Sequence, residues 1–128
     1  MNDASIYCRG LILAQSGVAA LISTRCYEDP LPNDATLPAI AFETQTSQIT
    51  GPMQMQTYNV SCWASTRDGA VALYGALVDA LSPPSAQQQT VSGQKLSGIE
   101  IERSAGVRAD PETENYVQVA TITFWMAI

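Results

Sequence analysis

Glu100 and Glu102 stand two residues apart in a stretch that alternates apolar and polar side chains, so on a strand both carboxylates leave from one face. Paired carboxylates of this kind can do acid–base work or hold a divalent cation. On the solvated outer face of an edge strand they do neither. Asp110, Glu112 and Glu114 repeat the alternation and look like a fragment of a calcium loop. The loop glycine is missing, however, Pro111 interrupts the run, and no distal glutamate follows at the required spacing. Cys8, Cys26 and Cys62 form no C-x-x-C pair, and an odd count at irregular spacing reads as free thiols packed as small apolar residues in a reducing compartment. Histidine is absent, which removes the commonest general base, the Ser/His and Cys/His pairs and most zinc sites. No glycine-rich phosphate cradle of either common pattern occurs, and Gly93 and Gly98 read as turn glycines in a polar loop. The sequence therefore points away from an enzyme and leads us to expect no catalytic residue, cofactor or metal.

The elements that would carry these residues belong to one domain spanning residues 1–128, a length with room for a single core. Only 14% of the residues are charged, against about 25% in an average globular chain, and Gln, Ser and Thr replace the missing charge. With 46% hydrophobic residues, the chain lacks the low hydrophobicity that disorder requires. A neutral polar surface also repels its own copies weakly, which suits self-assembly. Six basic residues lie scattered among twelve acids, so no basic stripe exists to read nucleic acid. The run Gly10 to Ala14 falls far short of the ~20 apolar residues that span a bilayer, and no charged segment precedes it. The expectation is a soluble protein that is not exported and meets no membrane.

Residues 3–22 favour one helix, with Ile6, Gly10, Leu13, Gly17, Ala20 and Leu21 on one face. Gly10 and Gly17 on that face suggest close approach of another backbone; the alternative is that Gly17 kinks or ends the helix. Residues 29–38 hold three prolines and must connect elements. Residues 38–44 and 57–64 read as strands, and residues 45–56 between them as a projecting loop, too long for a tight hairpin. Ser65 to Asp68 fits a capping box before a helix carrying Val71, Tyr74, Leu77, Val78 and Leu81, which Ser82-Pro83-Pro84 stops. Residues 85–97 are polar and loosely ordered, with a short strand at Thr90-Val91. Residues 99–103 form a half-exposed strand, and residues 109–115 an acidic turn. Residues 116–127 form a long strand with Tyr116, Ala120, Ile122, Phe124 and Met126 on one side and Val117, Val119, Thr121, Thr123 and Trp125 on the other. Both faces are fairly apolar, so this strand is central or meets another subunit. The fold class expected is α+β, a mostly antiparallel sheet of about four strands with two helices packed on one face.

Several of these segments together carry a family likeness. They are Gly17 to Ile22, Thr24-Arg25-Cys26-Tyr27, Leu37-Pro38-Ala39-Ile40, the strand Val60-Ser61-Cys62-Trp63-Ala64, the helix ending at Leu81, the turn from Asp110 to Tyr116, and the terminal Phe124-Trp125. In order and spacing the chain resembles the tail-completion, or tail-terminator, proteins of long-tailed bacteriophages. It departs from them where a Gly-Arg-Ile-Tyr-like run is replaced by Ser23 to Tyr27, and in the polar stretch 85–94.

The resemblance implies a structural virion protein at the head–tail junction, assembled in the host cytoplasm. Such proteins form a ring, usually a hexamer, that caps the tail tube and joins it to the head connector. The partners implied are further copies of the chain, the major tail-tube protein and a head-side connector or stopper protein, with DNA passing through unbound. The alternatives are a head-completion or neck adaptor protein and a small-molecule-binding α+β domain. Within that frame Gln48, Ile49, Met53, Met55, Val117, Val119 and Trp125 are the expected interface with another subunit or the tube. Met53 and Met55 are chosen because flexible thioethers adapt to uneven surfaces. Glu100 and Glu102 are expected to face the lumen, where like charge keeps DNA phosphates from sticking.

Overall fold

A computed structural model describes residues 4–28, 31–32, 34–50, 53–82, 90–91, 94–103 and 106–127. Two helices, α1 (Ala4–Leu13) and α2 (Ser16–Ile22), open the chain where one was expected. The break falls at Gln15, which is extended and buried, and whose side-chain amide donates to the Leu11 carbonyl at 2.9 Å. Gly17 causes neither expected effect: α2 runs through it, and a Cβ there would meet nothing within 4 Å.

Strand β1 (Cys26–Glu28) lies parallel to β2 (Ala39–Thr50), with Cys26 opposite Ile40. β2 pairs antiparallel with β3 (Met53–Ala64) from Ala39–Trp63 up to Thr50–Met53. The expected loop at 45–56 is therefore the end of a long hairpin joined by two residues. A bulge between Thr44 and Thr46 interrupts its register. Residues 51 and 52 lie outside the described residues.

Helix α3 (Arg67–Leu81) is capped by Thr66, not Ser65: the Thr66 hydroxyl accepts from the Gly69 N–H at 3.0 Å. Its buried stripe is Ala70, Leu73, Tyr74, Leu77, Val78 and Leu81, while Val71 is exposed. Ser82 closes it, donating its N–H and hydroxyl to the Val78 carbonyl. Gly69 is required by the cap, since a Cβ there would stand 2.9 Å from the Thr66 Oγ1 and 3.0 Å from the Ala64 Cβ. Gly69→Ala should therefore destabilise the protein, although alanine is the better helix former by about 1 kcal/mol. Thr66→Ala should cost about 1 kcal/mol. Urea denaturation checks both, and a Gly69→Ala variant more stable than the parent would show that the cap does not hold this turn.

Four further strands follow: β4 (Thr90–Val91), β5 (Gln94–Arg103), β6 (Arg108–Ala109) and β7 (Tyr116–Ala127). β4 was expected where it stands, and β5 starts five residues earlier than the expected Ile99. Residues 85–89 and 92–93 of the polar stretch, like Pro83 and Pro84, are outside the described residues.

The sheet runs β1-β2-β3-β7-β5-β4, with β6 paired to the lower end of β7 beside β5. β7 is central, one of the two outcomes its apolar faces suggested. The architecture is α+β, but with seven strands and three helices among the described residues, and the β1–β2 pair makes the sheet mixed. One face carries all three helices. α3 lies over β3, β7 and β5, α1 lies over β1 and β2 and reaches β4, and α2 wedges between α3 and β2. Beneath them Tyr58 stacks on Phe124 (centroids 5.1 Å apart, rings at 18°) and takes Phe42 edge-on. Gln56 is fully buried in this layer; its Oε1 accepts from the Tyr58 hydroxyl, while its Nε2 has no partner among the described residues.

Candidate interaction face

All three cysteines lie in the core, Cys8 on α1 and Cys26 and Cys62 on β1 and β3, and burial raises each thiol: Cys26 and Cys62 are pushed up to about 12, and Cys8 well above its ordinary value. Thiols so protonated are poor nucleophiles at neutral pH. Among the described residues no group of three acids or cysteines is placed to hold a metal ion. No helix among the described residues is long and apolar enough to cross a membrane.

The other face of the sheet carries no helix, and cross-strand register assembles it row by row, because directly paired residues share a side. At the hairpin end Gln48, Met55, Trp125 and Gly98 form one row, with Met53 above. Trp125 lies across Gly98, where a Cβ would come within 3.7 Å of the indole. The middle rows are polar. Thr57, Thr123 and Glu100 form one, with the two threonine hydroxyls 3.0 Å apart; Asn59, Thr121 and Glu102 form the next, with the Thr121 hydroxyl donating to the Asn59 Oδ1 at 3.0 Å. Below them come Ser61 with Val119, then Trp63 with Val117 and Arg108.

Eight of the nine singled-out residues thus share one face: Gln48, Met53, Met55, Val117, Val119, Trp125, Glu100 and Glu102. Ile49 is separated from them, since it pairs with Gln54 and lies on the helix side. It is 52% exposed there, the largest exposure of a big apolar side chain among the described residues. Met53, Met55, Val119 and Trp125 are half-buried, Gln48, Glu100 and Glu102 are exposed, and Val117 is already buried within the subunit. Expected interface and expected lumen wall are therefore neighbouring rows of one surface. Its ends are apolar, and its middle is hydroxylic and acidic.

Sequence reasoning passed over a cleft at the lower end of this face. It has a volume of about 300 Å³ and is lined by Trp63, Arg108, Ala109, Asp110, Pro111 and Val117. The alternation of β3 already placed Trp63 on this side; the two-residue β6 that brings Arg108 in has no such periodic signal.

A family model described as Tail completion protein gp17 matches residues 9–127. No curated protein matches the sequence. Among solved structures, a chain of the "Virion of native gene transfer agent (GTA) particle" shares the fold, with a TM-score of 0.63 at 17% identity, covering 92% of this chain and 90% of that one.

Proposed function

The chain belongs to the Tail completion protein gp17 family, a family of tail structural proteins, and from that premise we propose that it closes the end of a tail tube as a homo-oligomeric ring, a hexamer, at the head–tail junction. It has no catalytic role in this reading. The observation that carries the reading is the helix-free face, crossed by β3 and β7, each 12 residues long, with partly exposed apolar rows at both ends. Twelve residues of strand span about 40 Å.

In the ring the hairpin end, with Gln48, Met53, Met55 and Trp125 on one side and Ile49 on the other, meets an adjacent subunit or the tail-tube protein. Val117 and Val119 belong to the same contact surface lower down. The opposite end of the sheet faces the head-side connector or stopper. Glu100 and Glu102, exposed among threonines, border the channel, and DNA passes without being held because an acidic wall offers phosphates no counter-charge. The ring assembles in the host cytoplasm and stays in the virion.

Mass photometry of the purified chain, alone and with tail-tube protein, tests the ring, and electron cryo-microscopy of whole particles tests its place. Six copies are expected, stacked on the last tube ring with Glu100 and Glu102 toward the lumen. A chain that stays monomeric with tube protein, or whose copies lie away from the junction, overturns the reading.

A further inference from the structure

Among the described residues the sheet leaves two stretches of backbone without a neighbouring strand, one on each outer edge. β1 covers β2 only at residues 40–42, so β2 is bare on that side from residue 43 to 50. β4 covers β5 only at Gln94 and Lys95, so β5 is bare from residue 96 to 103. A bare edge is a row of N–H and C=O groups able to pair with another strand. Along the first stretch Glu43, Thr44, Gln45, Thr46, Gln48 and Ile49 are exposed, although they leave from both faces of the sheet. Neither stretch holds a proline, and the first carries one charge, Glu43.

Traced through the paired rows, the two bare edges stand at the same height. Glu43, Asn59, Thr121 and Glu102 share one row, and Gln48, Met55, Trp125 and Gly98 another. Each edge is regular on one side of a bulge, β2 over residues 46–50 and β5 over residues 98–103. Their senses fit as well. β3 runs against β2, β7 against β3 and β5 against β7, so β5 is antiparallel to β2. A second copy turned about an axis along the strands, with its helices on the same side, therefore brings its β2 antiparallel to β5 of the first. The two edges are different surfaces, so the contact is head-to-tail and makes a ring where the rotation closes.

The side chains choose the register. Flush rows would set Glu43 against Glu102, and like charges directly opposite repel. Sliding by two residues takes Glu43 past Glu102, and a stagger is what a closed sheet requires. Gln48 then stands against Glu100 and Thr46 against Glu102, each a hydrogen-bond donor beside a carboxylate. On the helix side Ile49, 52% exposed in the single subunit, comes against Ile99 at the margin of the core. The most exposed large apolar side chain among the described residues gains an apolar neighbour.

We propose that strand addition joins the copies: residues 46–50 of β2 extend the sheet of the next copy along residues 98–102 of its β5, antiparallel, with Gln48 opposite Glu100. The junction rests on the ring reading above and names the contact within it. It makes one continuous sheet of all the copies, with every Glu100 and Glu102 on the same side of the wall.

Disulfide trapping in the assembled protein reads the junction. Within one subunit Gln48 and Glu100 are separated by β3 and β7, three strand spacings or about 14 Å. A disulfide needs Cα atoms within about 7 Å, so a chain carrying Gln48→Cys and Glu100→Cys, both at exposed sites, cross-links only between copies. Oxidised with copper–phenanthroline after assembly with tail-tube protein, it should run on a non-reducing gel as a ladder from dimer to closed ring, and return to monomer with reductant. Each single variant should run as monomer, which also controls for the three buried native thiols. Glu43→Cys with Glu102→Cys, which reports the flush register, should run as monomer too. Adding Ile49→Asp should cut the cross-linked fraction at least about tenfold, since a carboxylate in the junction loses its water without gaining a partner. Dimers from Gln48→Cys alone, or cross-linking at 43 and 102 in place of 48 and 100, would overturn the junction. A ring seen by mass photometry without the cross-link between 48 and 100 would overturn it and leave the ring standing, whereas a chain that stays monomeric with tube protein overturns both.

Discussion

Phe124→Ala is expected to cost about 3–5 kcal/mol of folding stability, the usual range for removing a buried aromatic ring. Phe124 is 1% exposed and stacks on Tyr58, which in turn receives Phe42 edge-on, so the deletion removes the stacked partner of Tyr58, at the centre of a three-ring cluster that spans three strands. The surrounding side chains are fixed by β2, β3 and β7, the longest strands of the sheet, and cannot collapse into the space. A loss of that size is a large fraction of the about 5–15 kcal/mol that holds a typical domain. Urea titration should show a much lower midpoint with an unchanged slope. A loss below about 1 kcal/mol would mean that the three rings are not the centre of the core.

The second expected result separates subunit from assembly. Val119 is half-buried on the helix-free face, opposite Ser61, with no second layer over it among the described residues. An aspartate there keeps its water in the free subunit, so Val119→Asp should fold with stability within about 1 kcal/mol of the parent. If the face is covered in the assembly, the same charge is stranded without a partner at a cost of several kcal/mol, and the ring should not form. Val117 provides the contrast: at 3% exposure it is buried within the subunit, so Val117→Asp should lose several kcal/mol before any assembly. Denaturation and mass photometry on the two variants together make the distinction. A Val119→Asp protein that assembles normally would remove Val119 from the contact surface.

Parts of this fold were legible because they obey a period. β7 alternates over its whole length, its bounds fall where the pattern predicts, and it is central, one of the two outcomes its apolar second face allowed. The upper hairpin was not legible, for a physical reason. Gln54 and Gln56 are buried while Met53 and Met55 are only half-buried, so burial there runs against hydrophobicity and the segment looks like a polar loop. Ile49 shows a second obstacle. Ile40 and Phe42 set the core parity of β2, and the bulge after Thr44 reverses it, which brings Ile49 to the helix side and Gln48 beside Met55. β1 is three residues long and β6 two, too short for any alternation to register, and it was β6 that hid the cleft. The break at Gln15 rests on one side-chain amide reaching a carbonyl four residues back, a contact that composition does not announce.

The place of β7 in the sheet also sets an order of events during synthesis. It is the last of the seven described strands and yet separates β3 from β5, with Gln54 paired to Met126 across more than half the sequence given. Before residues 116–127 are in place, the β1–β2–β3 unit and the β4–β5 unit have no strand between them, and among the described residues only α1 and α3 touch both. Each then presents an open inner edge, and edges are where chains aggregate. Native pairing at the centre of the sheet has to wait for the final strand, and pairings that close such long loops form slowly. The centre of the sheet is therefore the part that is completed last.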